Sequence, residues 1–137
     1  MTIPLEGRYN SPKRGSSYMK KQTTFAQDYK PHFSGHETFP LRYGWLEKAF
    51  EAVDDSGLNN KKIFSDSAAI AHFGVGKNMV AAIRFWAQVA GILTTDGKDV
   101  RTTEFGQQLL GPNGRDPYLE SASSLWKIHW DIASNPK

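Results

Sequence analysis

The stretch from Ser65 to Thr103 constrains this chain most. Two helical patterns there are separated by Gly74-Val75-Gly76 and followed directly by an Asp-Gly turn signal. Ser65 is a good N-cap for a short helix over about 66–73, with Asp66 near the positive end of its dipole. The two glycines then break the helical pattern. A second helix over about 77–90 carries Val80, Ile83, Ala87 and Ala90 on one face, and Gly91 is placed to cap it in the left-handed conformation. Two helices joined by a short glycine-containing turn form a helix-turn-helix.

Ile92-Leu93-Thr94-Thr95 and Val100-Arg101-Thr102-Thr103 are short β-prone runs flanking Asp96-Gly97-Lys98-Asp99. Asp-Gly between such runs predicts a hairpin. A hairpin directly after the second helix is the wing of a winged helix. The fold class expected is therefore mainly α with a small β-hairpin, a winged helix-turn-helix-like domain.

The remaining elements surround that unit. Leu41, Trp45, Leu46, Ala49, Phe50 and Val53 recur at three and four, which predicts a helix over about 39–53 with Thr38 as cap and Pro40 in its first turn. Thr103 caps a helix over about 104–110 that ends at Gly111-Pro112. A final helix over about 123–133 carries Leu125, Ile128 and Ile132 on one face and Trp126 and Trp130 on another. A small domain buries one such face, so the second implies a partner: a missing C-terminal region or another copy of the chain.

The 137 residues suffice for one ordinary core. Charge divides them further. Residues 1–32 hold six cations against Glu6 and Asp28, a net of +4, whereas the rest carries eleven cations against twelve acids, a net of −1. The expected organisation is a basic disordered leader over 1–32, a winged-helix-like domain over 33–120, and an apolar helix over 121–137 leading into a region not present here. Any phosphate binding by the body must come from local patches.

Several function classes fall away. No apolar run approaches the roughly 20 residues that span a bilayer, and no signal-peptide core follows the N-terminus, so no membrane partner and a cytoplasmic location are expected. With no cysteine there is no disulfide, thiolate nucleophile or cysteine zinc site. Gly74-Val75-Gly76-Lys77-Asn78 ends like a P-loop, but that motif needs glycine at 71 and serine or threonine at 78, where the chain has Ala71 and Asn78.

As a helix-turn-helix, the same residues make sense chemically. The candidate double-stranded-DNA-binding residues are Lys77 and Asn78 at the start of the recognition helix, Arg84 further along it, and Lys98 and Arg101 in the hairpin. Asparagine pairs bidentately with adenine, lysine reaches guanine or phosphate, and helix N–H groups meet phosphate. Asp96 and Asp99 dilute the hairpin patch. Among His32, His36, His72 and His129 no metal-ligand or triad spacing occurs. His36 and Glu37, in a glycine-bounded loop, are the weak catalytic candidates, with helix capping and packing as their simpler role. No cofactor is evident.

Three strings carry a resemblance: Phe33-Ser34-Gly35-His36-Glu37-Thr38-Phe39-Pro40-Leu41-Arg42-Tyr43-Gly44-Trp45-Leu46; Gly74-Val75-Gly76-Lys77-Asn78-Met79-Val80 with Ile83-Arg84-Phe85-Trp86; and Asp116-Pro117-Tyr118-Leu119-Glu120 with Leu125-Trp126-Ile128-His129-Trp130. In these the chain from Phe33 onward resembles the bacterial domain of unknown function 4007 family. The resemblance implies a longer protein. It also implies a component encoded beside a cysteine desulfurase and a sulfate-activation-type ATPase in DNA phosphorothioate modification and defence, where such a component is credited with nicking DNA. A divalent metal in the full-length protein, and contacts with other subunits of that system, are implied with it. Three readings follow. The domain binds DNA, contributes catalytic residues to a nickase, or serves as an interaction module for partner subunits.

Overall fold

The computed structural model describes residues 34–55, 63–65 and 67–134. The basic leader expected over 1–32, together with His32, lies outside them. The described elements run α1 (Trp45–Asp55), α2 (Ser67–Phe73), α3 (Lys77–Val89), β1 (Leu93–Asp96), β2 (Asp99–Thr102), α4 (Glu104–Leu110) and α5 (Ala122–Ser134). Helices with one antiparallel hairpin, in this order, make a small winged-helix-like domain.

One apolar cluster joins the parts. Leu46, Ala49, Phe50 and Val53 of α1 belong to it with Val80, Ile83 and Ala87 of α3, and with Ile92, Leu93 and Val100 at the base of the hairpin. Ala49, Ile83, Ala87, Ile92 and Leu93 are wholly shielded from solvent. Shielding of this kind stabilises by about 25 cal/mol for each Å² of apolar surface removed from water. The stripe expected on α1 is therefore real.

The start of α1 is not where the pattern suggested. The helix begins at Trp45, with the Gly44 carbonyl accepting from Lys48 N–H at 3.0 Å. Thr38 is no cap. It and Glu37 have φ of 65° and 48°, Gly44 has φ of 80°, and chain in the left-handed region cannot continue a right-handed helix. The 39–44 stretch is apolar at Phe39 and Leu41 because it packs on the core, not because it is helical.

Glycine positions the helix-turn-helix. Gly74 turns the chain at φ 64° after α2, and its N–H donates to Ile70 at 2.9 Å. At the other end of α3, Gly91 stands at φ 74°. Its N–H donates to Gln88 at 3.1 Å and that of Ile92 to Ala87 at 3.0 Å, the paired bonds of a Schellman motif. The hairpin pairs Leu93 with Thr102, Thr94 with Arg101, Thr95 with Val100 and Asp96 with Asp99, leaving Gly97-Lys98 as a two-residue turn. The strands thus reach one residue further into the Asp-Gly segment than the β-prone runs alone indicate.

Thr103 then links three elements. Its hydroxyl oxygen accepts from Gly106 N–H at 2.9 Å as the N-cap of α4, and the hydroxyl donates to the Gly91 carbonyl at 2.6 Å. A Cβ on Gly106 would stand 2.6 Å from the Ile92 carbonyl oxygen, so α4 approaches the base of the hairpin as closely as glycine permits. Between α4 and α5, Asp116 is 9 % exposed and accepts from the N–H groups of Glu120 and Ser121, each at 2.9 Å, fixing the entry to α5.

Candidate nucleic-acid interface

α3 presents Lys77, Ala81, Arg84 and Gln88 in one stripe, because residues four, seven and eleven apart fall within a small angle on a helix. Lys77 and Asn78 are exposed, and Arg84 and Gln88 half-buried. The capping residue, Gly76, makes no side-chain bond to the helix start, and Lys77 is exposed in the first turn of α3. Partial positive charge from the helix end and the full charge of Lys77 coincide there, an arrangement that favours anionic oxygen.

The stripe continues into the hairpin. The Gln88 side-chain amide donates to the Thr95 hydroxyl, tying the last turn of α3 to β1. This contact was not foreseen from sequence. The signal available was the eleven-residue spacing from Lys77, together with the polar Thr94-Thr95 pair in a strand that also carries buried Leu93.

Lys98 is exposed at the tip of the hairpin. Arg101 is less well placed. Strand alternation puts Thr94, Asp96, Asp99 and Arg101 on the side of the ribbon opposite Leu93, Thr95 and Val100, the side that joins the core and α3. There the Arg101 guanidinium lies 3.5 Å from the Asp96 carboxylate, both side chains being well exposed. Of the five candidate residues, Lys77 and Arg84 share the α3 stripe, Asn78 lies about 100° round the helix from Lys77, Lys98 is at the hairpin tip, and Arg101 is engaged with Asp96.

The loop holding His36 and Glu37 packs against α3. The His36 ring stacks on Trp86 at 6.0 Å and 25°, and meets Phe85 edge-on at 5.7 Å, while Trp86 Nε1 donates to the Phe39 carbonyl at 2.9 Å. Its Nδ1 is buried without a hydrogen-bond partner among the described residues. Glu37 is exposed. Packing was the simpler role read for His36 from sequence; its partners on α3, Phe85 and Trp86, were not legible there. Among the described residues no group of three or more histidine, aspartate or glutamate side chains comes together to hold a metal ion, so no chemical step is derived through one.

The helix-turn-helix, its cationic edge and the hairpin define a winged-helix-like domain. The family model described as protein of unknown function DUF4007 matches residues 33–137, and the chain belongs to that family. Two solved structures are similar to it. "SspB crystal structure" is 37% identical with a TM-score of 0.64, over 76% of this chain and 32% of that one. "Magnesium ion-bound SspB crystal structure" is 37% identical with a TM-score of 0.63, over 74% and 31%. The chain thus spans about a third of the length of these structures. Comparison with curated proteins gives no match.

Proposed function

We propose that this domain binds double-stranded DNA through α3 and the hairpin, within a component of a bacterial DNA phosphorothioate modification and defence system. One observation carries the binding reading: exposed Lys77 and Asn78 at an α3 start without a side-chain cap, with Arg84 on the Lys77 stripe, which Gln88 and Thr95 join to the hairpin that bears Lys98. On a duplex, the first turn of α3 enters the major groove. Asn78 reads a base edge, Lys77 and the first N–H groups meet phosphate, and Lys98 reaches a flanking phosphate. Arg101 adds attraction only in so far as DNA competes with Asp96. The likeness to SspB and the family resemblance support the place in phosphorothioation and its partner subunits.

The test is binding of a fluorescent duplex over a range of salt. Lys77→Ala with Lys98→Ala should weaken binding and reduce the slope of log affinity against log salt by about 2, close to one unit per lost phosphate contact. An unchanged slope would remove the model.

Cleavage is not assigned to these residues. Phosphodiester hydrolysis draws on a metal held by carboxylates, or on a positioned base with a cationic stabiliser, and the His36 ring lies against two aromatic rings instead. Supercoiled plasmid incubated with the chain and magnesium or manganese should stay supercoiled. Nicking that is lost in His36→Ala or Glu37→Ala would replace the binding reading by the nickase one.

A further inference from the structure

The positive charge of this chain and its candidate DNA surface do not coincide. Residues 1–32 carry six cations against two acids, and residues 33–137 eleven against twelve. On the described surface Lys77, Arg84 and Lys98 serve the candidate interface, while Arg101 stands beside Asp96 and Lys127 beside Asp131. Three phosphate contacts correspond to a slope of log affinity against log salt of about −3, whereas proteins that make six to ten contacts show about −5 to −9. The α3 surface is thus short of cations, and the surplus lies in the segment ahead of it.

The fold brings that segment to the edge of the same surface. Ser34 is exposed, and two residues on the His36 ring meets Phe85 and stacks on Trp86. At 100° per residue, Phe85 and Trp86 lie about 60° and 160° round α3 from Gln88, the residue bonded to Thr95 of the hairpin. Asn78 faces nearly the same way as Phe85, two turns nearer the helix start. The open arc of α3 is therefore bordered by the hairpin on one side and by the 34–39 segment on the other, where the Trp86 indole also bonds the Phe39 carbonyl.

Covalent geometry then limits where the charge goes. Lys30 is four residues from Ser34, so its Cα stays within about 14 Å of this edge, and those of Lys20 and Lys21 within about 50 Å. A duplex carries one phosphate charge for about every 1.7 Å of its axis, so one that rests on α3 offers several within the shorter reach alone. We infer that residues 1–32 form a basic arm that binds phosphates of the same duplex, on the flank of α3 turned away from the hairpin. The inference rests on the reading that the duplex is seated on α3. Hairpin and arm then hold the backbone on the two sides of the groove that α3 enters, and an N-terminal arm beside a recognition helix is a recurring device.

The experiment measures duplex binding over a range of salt for three proteins. They are the 137-residue chain, the chain with Arg8, Lys13, Arg14, Lys20, Lys21 and Lys30 all changed to glutamine, and Lys77→Ala with Lys98→Ala. The sixfold change should reduce the salt slope by about 3 or more, close to one unit per lost contact. A chain beginning at Phe33 gives the same comparison should the sixfold variant aggregate. A slope lowered by the Lys77 and Lys98 changes but not by the sixfold one would overturn the arm and keep the α3 reading. A slope lowered by the sixfold change alone would mean that residues 1–32 bind without α3, which overturns their place beside it. Slopes that neither changes would remove both. An unaltered duplex slope, with binding to phosphatidylserine vesicles lost in the sixfold variant, would overturn the arm in favour of a lipid surface. Position is read from Lys30→Cys and Lys98→Cys, since the chain has no native cysteine. An iron chelate on each thiol should cut the duplex on opposite sides of the α3 footprint, and cuts on the same side would overturn the flanking arrangement.

Discussion

Trp86 of α3 donates its indole N–H to the carbonyl oxygen of Phe39 at 2.9 Å, across 47 residues of sequence. With His36 stacked on the same indole, this bond fastens the segment ahead of α1 to the helix that bears Lys77 and Asn78. The segment is irregular and has little secondary structure of its own, so its place depends on such contacts.

Trp86→Phe keeps the aromatic packing and removes the donor, leaving the half-buried Phe39 carbonyl short of a partner. A loss of about 1–2 kcal/mol is expected. Denaturant unfolding followed by circular dichroism measures it. A variant as stable as the parent would show that the bond contributes nothing net.

Asp116 makes the acid side of the stability curve specific. The Ser124 hydroxyl, with the backbone N–H groups of Ser121 and Glu120, holds its carboxyl below the usual value of 3.8, against the opposing effect of burial. A carboxyl whose folded value is lowered contributes stability that is complete above its unfolded value and disappears as pH falls through the folded one. Asp116→Asn should therefore lower the melting midpoint at neutral pH and flatten its decline below about pH 4. An unaltered decline would mean that other carboxylates set it.

The ion pair across the hairpin gives a change with the opposite sign from most interface substitutions. Asp96→Asn removes a negative charge and releases Arg101. Exposed pairs are worth up to roughly 1 kcal/mol, so duplex affinity at low salt should rise about two- to fivefold. Isothermal titration with wild type and variant decides it, and affinity that does not rise in the variant would take the hairpin out of the DNA contact.

Much of this architecture was legible in the sequence, for physical reasons that differ by element. The Gly74 turn, the Gly91 cap, the Asp96-Gly97 hairpin and the Thr103 cap each rest on a residue whose backbone or side-chain chemistry has few alternatives, and each stands as expected. The start of α1 was misplaced because Phe39 and Leu41 continue the apolar spacing although left-handed residues at 37, 38 and 44 exclude a helix. Non-glycine residues with positive φ leave no mark in composition. The same limit hid the Gln88 and Thr95 contact and the His36 stack, which depend on how separate elements meet. The unequal standing of Lys98 and Arg101 became visible only once the register fixed which side of the ribbon each occupies.

Backbone hydrogen exchange of the protein with and without a short duplex, read residue by residue, tests the central claim most directly. Slowed exchange is expected at the first turn of α3 around Lys77 and Asn78, and at the Gly97-Lys98 tip, with α5 unchanged. Protection confined to α5, or no protection at saturating duplex, would contradict a DNA-binding surface built on α3 and the hairpin.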